Sequence, residues 1–256
     1  MSVLVSLFVS FLEPYVANGK KGWEKASGYV IILSITISID INKIMASENI
    51  IDFWHSKVTK HKNVYVIPDG CQDVIFSLKK NRPPQIYLSP LYLQTINVEM
   101  EPETEMMGFR LKPGCEVKQL DKSGLRSSLH SISKLTDQIE NATHTNENIS
   151  EVLNCIKQHG TSIQHCANQL GVSSRTLQRV ISRNTPHSPS FWLRLARARQ
   201  SAKTLVDGGI FTEVAYQYQY TDQSHMCREI KHWFGVNPSE LLKRHDLTSQ
   251  LFWQAY

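Results

Sequence analysis

Two segments in the second half of the chain are imperfect copies of one pattern, in which two short helices are joined by a tight turn. The first copy, residues 162–181, has a small residue at Ala167, then a Gly-Val turn, and then Ser173 before its second helix. The second copy, residues 212–230, repeats the small residue at Ala215. Small residues allow two short helices to cross closely at a steep angle. The repeat therefore predicts two helix-turn-helix units in one chain.

The second helix of the first copy has an apolar side and a polar side. Leu177, Val180 and Ile181 stand at positions i, i+3 and i+4, so they share one face. Because each residue turns the helix by about 100°, Arg175 and Arg179 point to the opposite side. Arginine can bond guanine bidentately, and glutamine can bond adenine, in the DNA major groove. This helix therefore has the pattern of one that contacts base edges.

The second copy and the segment between the copies follow the same logic. Met226 and Ile230 are the apolar residues of the second copy, which turns Ser224 and Arg228 outward. Residues 191–206 between the copies are predicted to form one linking helix. The predicted basic exterior of that helix consists of Arg194, Arg197 and Arg199.

The positive charge of the chain is concentrated in this half. Residues 1–149 contain 16 basic and 16 acidic residues, whereas residues 150–256 contain 12 basic and 7 acidic residues. No acidic residue occurs between Glu151 and Asp207. A basic run alone is equally typical of a solvated helix face. In combination with the helical spacing, it indicates attraction to a polyphosphate backbone.

The stretch from Ile163 to Leu242 resembles the DNA-binding domain of the AraC/XylS family of bacterial transcription regulators. The most specific part of the match is Glu213–Arg228, followed by a Phe-Gly-x-x-Pro element at residues 234–238. The resemblance implies two recognition helices in successive major-groove turns on one face of the duplex. The base- and phosphate-contacting candidates that it implies are Arg175, Thr176, Gln178, Arg179, Gln223, Ser224, His225 and Arg228. The N-caps of the two recognition helices are predicted at Ser173 and Thr221.

The chain departs from the family pattern at one position of the second turn. The family usually has glycine there, and this chain has Gln219. If the position requires a positive φ, a residue other than glycine costs on the order of 1 kcal/mol.

The first half of the chain is predicted to be rich in β-structure. Short runs of β-branched and aromatic residues alternate with Pro- and Gly-containing turns between about residues 63 and 114. Residues 67–76 and 108–114 resemble a cupin-like sensor domain of the kind often found before AraC-type domains. The predicted fold class is α+β, with this cupin-like domain followed by an all-α tandem helix-turn-helix domain. The predicted divisions are an N-terminal extension at 1–44, the β-rich sensor or dimerisation domain at 45–136, a linker at 137–150, the DNA-binding domain at 151–246 and a C-terminal tail at 247–256.

The status of residues 1–44 depends on one apolar segment. The alternating Ile pattern of Tyr29–Ile41 is typical of a strand rather than a membrane helix, and such a strand could belong to the β-rich domain. The alternative is a peripheral extension, since residues 1–44 have no recognisable counterpart.

The composition favours a non-enzymatic protein of the reducing cytoplasm. The five cysteines are odd in number and widely spaced, without a Cys-x-x-Cys pair, which argues against disulfides and a structural zinc site. His55 and His61 lack a third ligand at metal-site spacing. Asp69 and Asp73 are interpreted as structural, turn-capping residues rather than a catalytic pair. No catalytic residue, metal or cofactor is therefore predicted.

The sequence predicts double-stranded DNA as a partner and leaves the role of the first half open. The family resemblance further implies RNA polymerase, a small-molecule effector and a second copy of the chain as partners. No membrane is predicted, because the apolar run at residues 3–12 is too short to span a bilayer. One alternative is a ligand-independent activator whose first half serves only for dimerisation. Another is a DNA-repair protein that transfers alkyl groups to a cysteine, which would require a zinc-supported cysteine cluster.

Overall fold

The computed structural model describes residues 29–32, 35–38, 44, 46–159 and 162–256. Its architecture is α+β, with β-sheets in residues 50–144 followed by an all-helical part, as the sequence predicted. The strands are β1 (Tyr29–Ile32), β2 (Ile35–Ser38), β3 (Ile50–Val58), β4 (Lys62–Val66), β5 (Asp73–Lys79), β6 (Gln85–Leu88), β7 (Ile96–Met100), β8 (Thr104–Leu111), β9 (Glu116–Val117) and β10 (Thr143–His144).

The β-rich part is built on an antiparallel sheet of four strands in the order β3-β8-β5-β6. Side chains alternate across β8, so that Met107 and Phe109 are fully buried on one face. This face packs against two short helices, through Leu125 of the first and Leu135 and Ile139 of the second. The opposite face looks towards the two-stranded sheet β4-β7, and a cavity separates the two sheets.

The helices continue almost without interruption to the end of the chain. They are α1 (Lys122–Ser127), α2 (Ile132–Asn141), α3 (Glu147–His159), α4 (Ile163–Gln169), α5 (Ser174–Asn184), α6 (Pro189–Val206), α7 (Phe211–Gln217), α8 (Gln223–Phe234), α9 (Pro238–Leu241) and α10 (His245–Thr248), followed by a 3-10 helix at Ser249–Phe252.

As a hinge, the predicted linker at 137–150 is wrong, because this segment has regular structure; the other interpretation of its polar composition was a helix surface between domains. The segment contains the end of α2, the strand β10, which pairs with β9, and the first residues of α3. Ile139 and Ile149 are both fully buried. These two core residues are hard to recognise in the sequence because the segment is mostly polar. Its other side chains lie on the exposed sides of the two helices.

The predicted tail at 247–256 is also wrong, because the segment packs into the core of the helical part. Leu247, Leu251 and Tyr256 are buried there, in the same cluster as Ile67 from the β-rich part. The backbone N–H of Tyr256 donates a hydrogen bond to the Asp69 carbonyl at 2.9 Å. The C-terminal segment therefore joins the two parts of the molecule.

The prediction for residues 1–44 lies mostly outside the described residues. The described part of Tyr29–Ile41 is a hairpin of β1 and β2, which pair with each other, rather than one strand. Ile44 packs in the core beneath the four-stranded sheet, so the proposed extension ends before this residue. Within the described ranges, no helix combines the length and the apolar character needed to cross a membrane.

Candidate nucleic-acid interface

The first helix-turn-helix unit consists of α4 and α5. Cys166 and Ala167 are fully buried at the crossing of the two helices. The turn passes through Gly171 at φ +65°, and the N–H of Val172 donates to the Ala167 carbonyl at 3.0 Å. No atom lies within 4 Å of a Cβ built on Gly171, so the backbone conformation rather than space requires glycine.

The outer face of α5 carries the predicted DNA-contacting residues. Ser173 is the N-cap, and its hydroxyl accepts a hydrogen bond from the Thr176 N–H at 3.1 Å. Leu177 and Ile181 are fully buried on the inner face. The exposed side chains of this helix include Arg175, Gln178 and Arg179, while Thr176 is half-buried beside Ser173.

The second unit, α7 and α8, repeats the turn of the first. Gln219 has φ +56°, and the N–H of Tyr220 donates to the Ala215 carbonyl at 2.9 Å. In the first unit, Gly171 has a similar φ of +65°, and the N–H of Val172 makes the corresponding hydrogen bond to Ala167. The sequence repeat is therefore a structural repeat, and Gln219 adopts the positive φ that the missing glycine implied.

The N-cap of α8 is Asp222, and the prediction of Thr221 is wrong by one residue. The Asp222 carboxylate accepts a hydrogen bond from the His225 N–H at 2.6 Å, which is the usual bond from an N-cap side chain to the third helical residue. Thr221 instead lies next to the His225 ring, with its hydroxyl 3.3 Å from Nδ1.

The outer face of α8 repeats the pattern of α5. Met226 and Ile230 are fully buried. Gln223, Ser224 and Arg228 are exposed, whereas His225 is half-buried and packs edge-on against Tyr220. The ring of His225 is thus held by the protein.

An ion-pair cluster joins the linking helix α6 to α8. Glu229 is only 5% exposed, and its carboxylate accepts hydrogen bonds from Arg194 at 2.5 Å and from Arg197 at 2.9 Å. Arg197 also lies over the Tyr220 ring, 4.4 Å from its centroid. These two arginines therefore tie the linking helix to the second unit.

Arg199 was predicted on the basic exterior of α6, and this prediction is wrong. The residue is 2% exposed, and its guanidinium donates hydrogen bonds to the Pro68 carbonyl at 2.9 Å and to the carbonyls of Gln250 and Leu251 at 3.2 Å each. Burial lowers the pKa of Arg199, since a low-dielectric environment disfavours the charged form.

Comparison with known proteins identifies the helical part. Residues 166–244 match a family model described as a helix-turn-helix domain. This segment is an AraC-type helix-turn-helix domain. Domains of this type bind DNA, so the chain is a DNA-binding protein concerned with transcription regulation. A search of curated proteins finds no match to this chain.

Solved structures with some similarity are AraC-family regulators. The C-terminal domain of AraT, a response regulator from Geobacillus stearothermophilus, is 21% identical, with 38% of this chain and 85% of that chain covered and a TM-score of 0.34. ToxT from Vibrio cholerae is 10% identical, with 75% of this chain and 97% of the ToxT chain covered and a TM-score of 0.43. ToxT bound to an unsaturated fatty acid is 13% identical, with 79% of this chain and 97% of the ToxT chain covered and a TM-score of 0.38.

His55, His61 and Asp69 of the β-rich part are each engaged with another group. His55 Nε2 lies 2.6 Å from Glu105, and His61 lies 3.3 Å from Glu99. Asp69 accepts a hydrogen bond from the Cys71 N–H at 3.0 Å, as a turn-capping residue does. In the part of the chain that the structure describes, no group of three or more His, Cys, Asp or Glu side chains could hold a metal ion.

Proposed function

We propose that this protein is a sequence-specific transcription regulator of the AraC type that contacts two successive major-groove turns with α5 and α8. The observation that carries the proposal is the repeated turn, which presents two helices with buried apolar faces and exposed polar faces. The site would be asymmetric and about 15–20 base pairs long, since the two helices occupy grooves about one turn apart.

We assign different roles to the exposed and half-buried candidates. Arg175, Gln178 and Arg179 on α5 are exposed and have side chains that can bond guanine or adenine edges. On α8 the corresponding group is Gln223, Ser224 and Arg228. Thr176 and His225 lie in the first turns of these helices, where contacts to phosphate are favoured.

The test is selection of bound sequences from random duplex DNA, followed by affinity measurements at several salt concentrations. Arg179→Ala and Arg228→Ala should each weaken binding to the selected site by about 1–3 kcal/mol and relax the preference at one base position each. Arg82→Ala is the matched control, because Arg82 is an exposed arginine in a turn of the β-rich part.

The results that would contradict the proposal are distinct. Affinity that does not change between low and physiological salt would show that no counterions are released, which excludes a phosphate-contacting interface. An unchanged selected sequence in both variants would show that α5 and α8 do not contact bases. Equal loss in the Arg82→Ala control would indicate general electrostatic attraction instead of a specific face.

We also propose that the β-rich part binds a small effector, because a cavity lies between its two sheets. Gln250 and Trp253 from the C-terminal segment line this cavity together with strand residues. Gln250 is tied to the β-rich part by a 2.8 Å hydrogen bond to the Tyr65 carbonyl. A molecule in the cavity would therefore contact the helical part directly, which favours a sensor over a platform that serves only for dimerisation.

A further inference from the structure

The cavity between the sheets has the size of a small ligand. Its volume is about 220 Å³, and it lies between the inner face of the four-stranded sheet and β4-β7. Cavities that enclose drug-sized molecules usually measure about 300–1,000 Å³. A ligand of this cavity would therefore be smaller than a typical drug.

Aromatic rings form much of the cavity wall. Trp54, Tyr87, Tyr92 and Trp253 all line it. The indole of Trp54 lies directly on the backbone of Gly108, where an added Cβ would stand 2.2 Å from Cε2. Glycine at this position thus allows the Trp54 ring to lie flat against the sheet as a fixed wall.

The arginine in the cavity is already neutralised by the protein. Arg110 lies 3.0 Å from the Asp69 carboxylate and 3.2 Å from the Asp73 carboxylate. Its third nitrogen donates to the Gln254 carbonyl at 3.4 Å, and the Trp253 ring centroid lies 5.5 Å from the guanidinium carbon. An anionic ligand would have to compete with two carboxylates for this group.

A third carboxylate lies on the same face of the sheet. Asp52 is paired with Arg110 across β3 and β8 and accepts a hydrogen bond from the Phe53 N–H at 2.9 Å. In the described residues it forms no ion pair within 4 Å. Burial raises the pKa of both Asp52 and Asp73, because a low-dielectric environment disfavours the charged carboxylate, and Arg110 opposes this shift.

Other charged groups also lie around the cavity. Asp246 is held by Arg244 at 2.6 Å, and Lys62 is exposed to solvent. Arg199 is near Asp69, and its guanidinium donates hydrogen bonds to the backbone carbonyls of residues 68, 250 and 251. Asp52 is therefore a carboxylate of the cavity lining that no cation of the described residues pairs with inside 4 Å, whereas Arg110 is shared by Asp69 and Asp73.

We propose that this cavity binds a small organic cation, with its ammonium group near Asp52 and Asp73 and its apolar body between the aromatic rings. The inference rests on the proposed effector function of the β-rich part and specifies the chemistry of its ligand. Aromatic faces attract ammonium groups through their quadrupole, and a carboxylate adds direct charge attraction. Both features favour a cation over a neutral molecule or an anion of the same size.

The test compares three probes of nearly equal size by calorimetry with the full-length protein: benzylamine as the cation, benzyl alcohol as the neutral molecule and benzoate as the anion. Benzylamine should bind at least about tenfold more tightly than either of the others. Asp52→Asn should remove most of this preference, and Tyr92→Leu should weaken benzylamine binding by about tenfold as an independent variant. Asp207→Asn, at an exposed position outside the cavity lining, is the matched control and should bind all probes like the unaltered protein.

Preference for benzoate, equal affinities for the three probes, or no binding of benzylamine would each overturn the inference. A preference that persists in both variants with native circular dichroism would place the cation site elsewhere and would also overturn it. DNA binding is measured on the same samples without probe. Intact DNA binding with failed benzylamine binding refutes only the cation site, whereas absent DNA binding with normal benzylamine binding refutes the proposed regulator.

Discussion

Replacing Arg199 by methionine removes a charged group from the junction between the two parts of the molecule while retaining most of its volume. The three carbonyls that it contacts belong to Pro68 in the β-rich part and to Gln250 and Leu251 in the C-terminal segment. Methionine cannot donate a hydrogen bond to any of them. The substitution therefore leaves three buried acceptors without this partner.

The expected loss of stability in Arg199→Met follows from the number of hydrogen bonds removed and from their buried environment. A hydrogen bond from a charged group contributes about 1.5–3 kcal/mol, so three of them contribute about 4.5–9 kcal/mol before opposing effects. Desolvation of the guanidinium offsets part of this, as the lowered pKa of Arg199 indicates. We expect the free energy of unfolding to fall by about 3–5 kcal/mol, the usual cost of removing one partner of a buried charged network.

Urea denaturation followed by circular dichroism measures this loss, and hydrogen exchange locates it. The amide of Tyr256, which donates to the Asp69 carbonyl, should lose protection in Arg199→Met. The control is Arg175→Met at an exposed position on α5, which should change stability by less than about 0.5 kcal/mol. A loss below about 1 kcal/mol for Arg199→Met, or unchanged protection of Tyr256, would refute the reasoning.

Three further predictions concern the helical part. Glu229→Gln should lower the free energy of unfolding by about 1–3 kcal/mol and steepen the salt dependence of DNA binding. Both effects are expected because Arg194 and Arg197 lose their neutralising partner. A salt slope like that of the unaltered protein would contradict this prediction. In thermal melts, Gln219→Gly should stabilise the folded protein by up to about 1 kcal/mol, and Gly171→Ala should destabilise it by about 1–2 kcal/mol. Both effects are expected because both positions have positive φ. Changes of the opposite sign would show that the two turns differ. Burial, with Arg199 and Lys157 nearby, lowers the pKa of Lys203 to about 8, so the unfolded chain binds more protons between pH 8 and the ordinary lysine pKa. The urea midpoint of the unaltered protein relative to that of Lys203→Met should therefore rise with pH across this window, and parallel pH profiles would refute the shift.

The helix-turn-helix units could be predicted from the sequence because their determinants are local. The periodic positions of Leu177 and Ile181, and the matching Met226 and Ile230, define the buried faces without knowledge of distant contacts. The positive φ at Gln219 was considered because the family usually has glycine at this position, and the structure has it. The N-cap of α8 was misplaced by one residue because Thr and Asp at adjacent positions are both good caps.

The junction could not be predicted because it depends on residues far apart in sequence. Arg199 stands four residues after Leu195 and three before Ala202, so periodicity places it on the buried face of α6, but the partners of its guanidinium are 131, 51 and 52 residues away. The sequence does not show that Pro68 and the C-terminal segment supply the carbonyls that allow a guanidinium to be buried there. Similarly, the importance of Glu229 depends on the crossing of α6 and α8, which periodicity within one helix does not encode.

The linking helix and its ion pairs explain why an asymmetric, continuous DNA site is expected. α6 contains 18 residues, so at 1.5 Å per residue its length is about 27 Å, of the same order as the roughly 34 Å between successive turns of the major groove. A flexible linker of similar length would allow many separations and angles of the two units. The bonds of Arg194 and Arg197 to Glu229 instead tie α8 to α6. The rigidity of this connection therefore favours sites with one spacing between the sequences contacted by α5 and α8.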